Sequence, residues 1–398
     1  MIEEFDYVII GAGSAGSVLA NRLSASDATV CLLEAGSRDL NPFIHIPAGF
    51  LKTLVNPHLN WLYETEPGEG TAGRNIATPR GKTLGGSSSI NGHIYNRGQK
   101  LDFDTWSQMG NRGWGYADVL PYFKRSERRV GDGDNAYRGR DGELVITDID
   151  RPDAICDAFI DGVANLGIPR AQDYNGATQE GVGYFQRTIH KGRRMSAARA
   201  FLNPARGRPN LEIRTRANVS RIVFSERRAS GVVYRRGDQT HEVRARREVL
   251  LAGGAIASPQ ILQVSGIGDP DMLRGINVPV VHALPGVGEN LSDHFGVRLA
   301  ARVRNARTLN ERAQGMPLAG EIAKYLLFRK GVLAQSPGVA LALCKSRPAL
   351  EHPDLQVIFA PASYKEDAAY QLDDFPGMTI GSWPMRPESR GHVRARTA

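Results

Sequence analysis

The chain has 398 residues, 41% of them hydrophobic and 23% charged, which is typical of a globular protein with about two or three domain-sized units. The formal net charge is +8, but the basic runs are short, scattered and free of interleaved aromatic residues, which argues against nucleic-acid binding. Three cysteines are too few for a disulfide framework or a metal site. No apolar stretch reaches the ~18 residues that span a bilayer, and the acidic N-terminus is unlike a secretory leader. We therefore expect a cytoplasmic protein without a transmembrane segment or a metal.

A strand, a glycine turn and a helix open the chain. An apolar strand runs into Gly11, Gly13 and Gly16, and a second apolar strand ends at Glu34. Gly11 permits a tight turn, Gly13 lets the backbone approach a pyrophosphate, and Gly16 lets the helix pack closely on the strand. Glu34, roughly 20 residues further on, is placed to accept hydrogen bonds from ribose hydroxyls. This βαβ pattern predicts that the chain binds a dinucleotide.

A second glycine block follows a long irregular segment, residues 37–78. Gly85 and Gly86 precede three serines, residues 87–89. Adjacent glycines and serines of this kind present backbone N–H groups to a phosphate or a ring edge, although a flexible Gly/Ser turn has the same composition. No GxSxG motif surrounds these serines, so the block does not favour a serine hydrolase.

A looser, α-rich region, residues 100–210, leads to a run of strands that begins near Leu211. The strands form a β-meander and end in an apolar segment that closes with Ala252 and Gly253, followed by a helix from about Ser258. Ligands of open α/β sheets bind at the carboxyl edge of the strands. We therefore expect Ala252 and Gly253 to lie at the same sheet edge as the first glycine turn.

The last hundred residues have a different pattern, with one long helical stretch at about residues 321–329 among strand-like pieces. This pattern predicts a second domain built on a sheet. The strand-like pieces are residues 297–303, 355–359, 378–383 and 392–397.

Several blocks together resemble the glucose-methanol-choline (GMC) family of FAD-dependent oxidoreductases, in particular its choline- and alcohol-dehydrogenase-like branch. Residues 81–98 resemble the first family signature, residues 254–268 resemble the second, and residues 286–294 also match. The resemblance extends from about Tyr7 to the end of the chain.

The fold that this resemblance implies is α/β, with two domains. A Rossmann-like FAD-binding domain with a three-stranded β-meander would occupy residues 1–295. An incomplete antiparallel-sheet substrate domain would occupy residues 296–398. Whether part of the insertions at about residues 37–78 and 100–210 joins the substrate domain is left open.

The resemblance also implies which residues contact the cofactor. The ADP part of FAD would be held by the first glycine turn and the acid after the second strand, with a meander residue at the adenine. The segment after the second glycine block would lie along the pyrophosphate and flavin. The residues concerned are Gly11, Gly13, Gly16, Glu34, Ala35, Thr83, Gly85, Gly86, Asn91, Gly92, His93, Ile94, Val219, Ala252 and Gly253.

Some family members attach FAD covalently through a histidine in the first signature. Ile90 occupies that position here, so the resemblance implies non-covalent FAD. His93 lies nearby, and we interpret it as a packing or polar contact.

The catalytic histidine of the family and its histidine or asparagine partner belong to C-terminal motifs that this sequence lacks. His294 and His392 match earlier blocks, so no catalytic residue is assigned. A shortened substrate domain would leave a sheet edge unpaired and a flavin face uncovered. We expect the chain to bind FAD weakly or to fold poorly, and not to turn over alcohols.

The favoured function is an FAD-dependent oxidoreductase that acts on CH–OH donors, with a small alcohol as substrate and a quinone-like or artificial carrier as acceptor. Two alternatives remain open: a non-catalytic dinucleotide-binding remnant, and an NAD-dependent dehydrogenase, which leaves the later glycine blocks without a role. The sequence identifies neither the alcohol nor the oligomeric state.

Overall fold

A computed structural model describes residues 2–150, 152–366 and 370–398. Within these residues the strands, in chain order, are β1 (Glu3–Ile10), β2 (Val30–Glu34), β3 (Tyr63–Glu64), β4 (Ala77–Thr78), β5 (Glu127–Arg129), β6 (Leu144–Ile146), β7 (Gly181–Tyr184), β8 (Ile189–His190), β9 (Arg193–Arg194), β10 (Leu211–Thr215), β11 (Asn218–Ser225), β12 (Arg228–Arg236), β13 (Gln239–Leu251), β14 (Ile267–Gly268), β15 (His282–Ala283), β16 (Val297–Arg302), β17 (Ala340–Cys344), β18 (Leu355–Ala360) and β19 (Gly377–Pro384). The α-helices are α1 (Ser14–Leu23), α2 (Pro42–His45), α3 (Phe50–Thr53), α4 (Lys100–Gln108), α5 (Tyr116–Ser126), α6 (Ala154–Asn165), α7 (Asn203–Ala205), α8 (Gly254–Val264), α9 (Pro270–Gly275), α10 (Leu309–Arg312) and α11 (Gly315–Phe328).

The first large sheet has six strands in the order β10-β2-β1-β13-β12-β11. Its first four strands are parallel, and β11, β12 and β13 form an antiparallel meander. Ile10 at the end of β1 pairs with Leu33 of β2 and Leu251 of β13. The carboxyl ends of the three strands are therefore level, which confirms the expected Rossmann-like fold with its β-meander.

Both faces of this sheet are covered, as the apolar runs in β1 and β2 require. Val8 and Cys31 belong to the core on one face, whereas Ile9 and Leu32 belong to the core on the other. Helix α1 covers the second face, with Ala20 fully buried. The first glycine turn is thus held between a packed helix and a packed strand.

The second large sheet is antiparallel, in the order β16-β19-β18-β17-β7. Helix α6 packs against it through Cys156 and Ile160, and the ring of Phe159 stacks on Phe359 with centroids 4.7 Å apart. The fifth strand, β7, comes from the α-rich stretch before residue 210. Strand β16 at the opposite edge is exposed throughout.

Three sequence-based expectations about elements were wrong. Residues 392–397 are not a strand: Val393 donates its N–H to Gly288 and Ala395 donates to Gln263 on α8, so this segment follows the first domain's surface instead of joining a sheet. Helix α8 begins at Gly254, four residues earlier than expected. Helix α11 begins at Gly315, earlier than the expected start at about residue 321. Pro317 is tolerated in its first turn because the N–H groups of that turn have no partner within the helix.

Candidate cofactor site

A cavity of about 550 Å³ opens at the carboxyl edge of the first sheet. The ends of β1, β2 and β13 form its floor through Ile10, Leu33 and Leu251, and the starts of α1 and α8 form its sides. This is the edge at which open α/β sheets bind their ligands. The expectation that Ala252 and Gly253 share this edge with Gly11 is confirmed by the parallel pairing of β1 and β13.

The two glycine blocks meet at this cavity. Gly11 has φ +94°, and a Cβ placed on it would lie 2.6 Å from the carbonyl oxygen of Ala252. Gly86 has φ +52°, and its Cβ would lie 2.7 Å from the Cα of Gly13. On Gly13, in contrast, an added Cβ would meet no atom closer than 4.0 Å. Two backbone loops therefore converge without side chains between them, and open space remains above Gly13.

Two helix N-termini border the same cavity. The N-cap residues are Gly13 for α1 and Gly253 for α8, and neither helix has a side-chain capping bond. The cavity is lined by residues of both first turns, Ser14 and Ala255 among them. Uncapped N–H groups and the positive ends of two helix dipoles favour a negatively charged ligand such as a diphosphate.

Glu34 supplies a buried acid beside the glycine turn. Its Oε2 accepts a hydrogen bond from the N–H of Ala12 at 2.9 Å, and its Oε1 accepts one from the N–H of Gly36 at 2.8 Å. Burial raises the pKa of Glu34 to about 7, against the lowering effect of these two bonds and of the Lys82 charge. These two bonds hold the carboxyl group at the cavity. Each carboxyl oxygen has a further lone pair that can accept a hydrogen bond from a hydroxyl group.

An aromatic wall was not predicted from the sequence. Trp61 and Tyr63 line the cavity and lie parallel, with centroids 5.8 Å apart, and the ammonium of Lys82 lies 4.5 Å above Trp61. Arg80 lines the same side. The aromatic residues in the irregular segment before residue 78 were the available signal. Together these side chains can stack on a ring and approach an anion.

The structure divides the predicted residues into two groups. Those that line the cavity are Gly11, Gly13, Glu34, Ala35, Gly86, Val219, Ala252 and Gly253, whereas Gly16, Thr83, Gly85, Asn91, Gly92, His93 and Ile94 do not. Gly16 has the packing role expected of it, because a Cβ there would lie 1.8 Å from the carbonyl oxygen of Gly11. Thr83 is buried and donates to the carbonyl of Ser37 at 3.0 Å.

The segment predicted to lie along the flavin is fixed by a buried arginine. Arg194 donates through Nη1 to the carbonyl and the side-chain oxygen of Asn91, at 2.7 and 2.8 Å. Burial lowers the pKa of Arg194 to about 9. Gly92 lies against Pro337, where an added Cβ would come within 2.9 Å. The contact of this segment with a flavin stays a prediction.

His93 is fully buried, with φ +65°. Neither ring nitrogen has a hydrogen-bond partner among the described residues. Burial and the charge of Arg194 hold the pKa of His93 well below its usual value, so the ring is neutral at pH 7. The ring is packed in the interior, and its role as a packing or polar contact of the cofactor stays a prediction.

The other two histidines weighed in the sequence lie elsewhere. His294 places Nε2 3.0 Å from the carbonyl oxygen of Met385 and stacks on Trp383 with centroids 6.1 Å apart. His392 is exposed on the segment beside α8. Among the residues that the structure describes, no histidine lines the cavity.

The residues present fit an FAD-type dinucleotide. The space above Gly13, the two uncapped helix N-termini and the buried acid match the needs of a diphosphate and a ribose. The fold and the site thus define a dinucleotide-binding protein of the Rossmann-like class.

Comparison with known proteins identifies the family. The GMC oxidoreductase family model matches residues 5–296. The chain is 42% identical over 398 residues to an oxygen-dependent choline dehydrogenase of Brucella anthropi, covering 99% of this chain and 72% of the relative. It is 38% identical to an alcohol dehydrogenase [acceptor] of Pseudomonas putida over 99% of this chain and 72% of the relative. The chain belongs to the GMC oxidoreductase family, whose members are FAD-dependent enzymes.

A solved structure supports the same assignment. Pyridoxine 4-oxidase from Mesorbium loti superposes with a TM-score of 0.86 at 31% identity, covering 99% of this chain and 74% of that protein. The FAD cofactor expected from the sequence is thus supported by the family. Within the described residues, no helix combines the length and the apolar character needed to cross a membrane.

Proposed function

We propose that the chain binds FAD non-covalently and belongs functionally with enzymes that oxidise the CH–OH group of a small alcohol, choline included. The convergence of two glycine loops and two helix N-termini on one cavity carries the FAD-binding part of this proposal. The substrate class rests on the choline and alcohol dehydrogenases among the relatives. When bound, FAD supplies a hydride acceptor at N5 of its flavin ring.

Each group at the cavity has a distinct task in holding the cofactor. Gly13 and Gly86 leave room for the diphosphate, while Glu34 accepts hydrogen bonds from the adenosine ribose. Val219 borders the adenine through its backbone. Trp61 and Tyr63 shield the open side of the cavity from water.

Non-covalent attachment is supported by Ile90. This residue is 2% exposed and carries no nucleophilic atom, and it occupies the position at which some family members have the linking histidine. Acid precipitation of the reconstituted protein should therefore leave all flavin in the supernatant. Yellow protein pellets would contradict this expectation.

The proton acceptor for the alcohol is unassigned. We propose that cofactor binding and turnover separate in this chain, because the edge strand of the second sheet, β16, is exposed along its whole length and leaves that edge of the substrate-side sheet unpaired. FAD should bind weakly, and alcohols should not be turned over. The substrate would be a small alcohol and the acceptor a quinone-like or artificial carrier, in the cytoplasm. Residues 1–295 would form mainly the cofactor domain, except that α6 and β7 join the second sheet. Residues 296–398 would form the rest of the substrate domain described here.

Reconstitution with FAD tests the proposal. FAD should bind with quenching of its fluorescence, whereas NAD should not compete. Gly13→Ala should weaken FAD binding by at least tenfold without destabilising the chain, because the added methyl group enters the space for the diphosphate. The matched control is Gly162→Ala on α6, where a Cβ meets nothing within 4 Å and FAD binding should be unchanged.

Three results would contradict parts of the proposal. Equal FAD affinity of Gly13→Ala and the control would show that this cavity does not bind the cofactor. Tight NAD binding would favour the nicotinamide alternative. Steady dye reduction by choline or a simple alcohol would show that a proton acceptor is present, and would overturn the separation of binding from turnover.

A further inference from the structure

Helix α11 has its charged and apolar sides reversed relative to an ordinary surface helix. Its charged residues, Glu321 and Lys324, are half-buried against the protein. The large apolar side chains face outward: Met316 is 90% exposed, Leu326 72% and Leu327 74%. A surface helix of a globular protein normally buries its apolar stripe. Clustered exposed apolar side chains of this kind mark an interaction surface.

The helix is fixed in this orientation by polar contacts on its inner side. Glu321 accepts hydrogen bonds from Arg312 at 3.1 Å and from the N–H of Val332 at 3.0 Å. Tyr325 is 3% exposed, and its hydroxyl donates to the carbonyl of Gly192 at 2.9 Å. Rotation of the helix to bury Leu326 and Leu327 would break these contacts, so the apolar side stays outside.

Cations surround the C-terminal end of this apolar side. Leu327 and Phe328 line a depression of about 300 Å³ together with Lys191, Arg329 and Lys330. No ion pair involves these three cations in the parts of the chain that the structure describes. The only carboxylate among the residues lining this depression is that of Asp150, which pairs with Arg187. The surface therefore combines exposed apolar side chains with unneutralised positive charge.

We propose that α11 and the adjoining cations form a docking surface for an anionic lipid bilayer. Apolar side chains in one plane enter the boundary between headgroups and acyl chains, while lysine and arginine at the rim contact acidic headgroups. A soluble apolar peptide would match the exposed apolar side chains only, and a nucleic acid would match the positive charge only. The proposal does not depend on the alcohol-oxidising function.

The surface is also close to the segment predicted to contact the flavin. Arg187 lines the depression and is followed by Thr188, whose N–H donates to the carbonyl of His93 at 2.8 Å. A membrane-bound orientation through α11 would hold this side of the protein against the bilayer.

Co-sedimentation of the full chain with lipid vesicles tests the proposal. The protein should sediment with phosphatidylcholine vesicles that contain about 30% phosphatidylglycerol and at least tenfold less with phosphatidylcholine alone. Binding should weaken as NaCl rises toward about 0.5 M, because salt screens the cations.

Two kinds of variant separate the apolar and the charged contributions. Leu327→Ser with Phe328→Ser should reduce binding at least tenfold, since both side chains are exposed and their loss leaves the fold intact. Lys330→Gln should reduce it about fivefold. The matched controls are Leu166→Ser, at a side chain 81% exposed on another surface, and Arg227→Gln in the β11–β12 turn. Both controls should bind as the parent chain does, with unchanged circular dichroism for all variants.

The proposal would be overturned by the absence of sedimentation with anionic vesicles, by equal binding to neutral vesicles, or by equal effects of variants and controls. Analytical ultracentrifugation measures whether the chain is a monomer or a dimer. A dimer that the Leu327→Ser and Phe328→Ser variant dissociates would assign this face to a second copy of the chain and overturn the lipid assignment.

Discussion

Glu34 combines two demands that conflict in a single carboxyl group. It must accept hydrogen bonds from backbone N–H groups and from a ribose, which favours the ionised form, yet it lies in a buried position, which favours the neutral form. The raised pKa, about 7, shows that burial is the larger effect. Its protonation therefore changes within the physiological range of pH.

This conflict predicts a pH-dependent stability of the FAD-free chain. Between pH 4.5, the ordinary pKa of a glutamate, and about 7, the folded chain binds more protons at Glu34 than the unfolded chain does. The free energy of unfolding should therefore fall as the pH rises through this window, by on the order of 2 to 3 kcal/mol. Urea denaturation at several pH values measures it.

Glu34→Gln should remove this part of the pH dependence, because an amide does not titrate. Glu226→Gln, at an exposed position of the β11–β12 turn, should leave the pH dependence unchanged. Parallel stability curves for the parent chain and Glu34→Gln would show that another group titrates in this window.

At the scale of elements, the packing of α1 on β1 depends on a glycine that does not touch the cavity. An added Cβ at Gly16 would lie 1.8 Å from the carbonyl oxygen of Gly11, and this oxygen belongs to backbone that cannot move alone. Gly16→Ala should destabilise the chain by more than about 3 kcal/mol because the helix must shift away from the strand.

The control for this prediction is again the glycine of α6, Gly162. Since its Cβ would meet open space, Gly162→Ala should stabilise the chain by about 0.5 to 1 kcal/mol through helix propensity. Thermal unfolding of the two variants measures both effects. A mild effect of Gly16→Ala, close to that of the control, would mean that α1 is not held against the glycine turn.

The elements also show what a single sequence can and cannot predict. The βαβ unit and the meander could be predicted because their strands are apolar, bounded by glycines and adjacent in the chain. Strand β7 could not, since Gly181–Tyr184 contains two glycines and becomes a strand through pairing with β17, which lies over 150 residues later. The aromatic wall of Trp61 and Tyr63 was missed for a similar reason: irregular backbone carries no periodicity from which its position could be predicted.

In contrast, residues 392–397 alternate in polarity like a strand but are not part of any strand in the structure. Their N–H groups bond to Gly288 and Gln263 instead. Local pattern predicts the capacity to pair, whereas the tertiary structure decides whether a partner is present.

At the scale of the whole molecule, a buried ionic network joins Arg97 and strand β5 to the residues beside β7 of the second sheet. Glu127 is completely buried and accepts hydrogen bonds from Arg97 and from Nε of Arg138, the latter at 2.7 Å. Arg138 also donates to Asp173 at 2.6 Å and to Gln186 at 2.9 Å, next to β7. Glu127 thus compensates two buried guanidinium groups, and Asp173 is a second anion for that of Arg138.

Glu127→Gln should therefore destabilise the whole molecule. The amide retains the shape of the side chain but leaves the buried Arg97 without its carboxylate and Arg138 with Asp173 alone, which costs about 3 to 5 kcal/mol. Glu143→Gln is the matched control, since its partner Arg22 is 29% exposed and the pair contributes at most about 1 kcal/mol. Urea denaturation followed by both tryptophan fluorescence and circular dichroism should show a large, coincident shift for the first variant only. Separate transitions in the two signals would mean that the network stabilises only one part of the fold, because a contact on which the whole fold depends must weaken all of it at once.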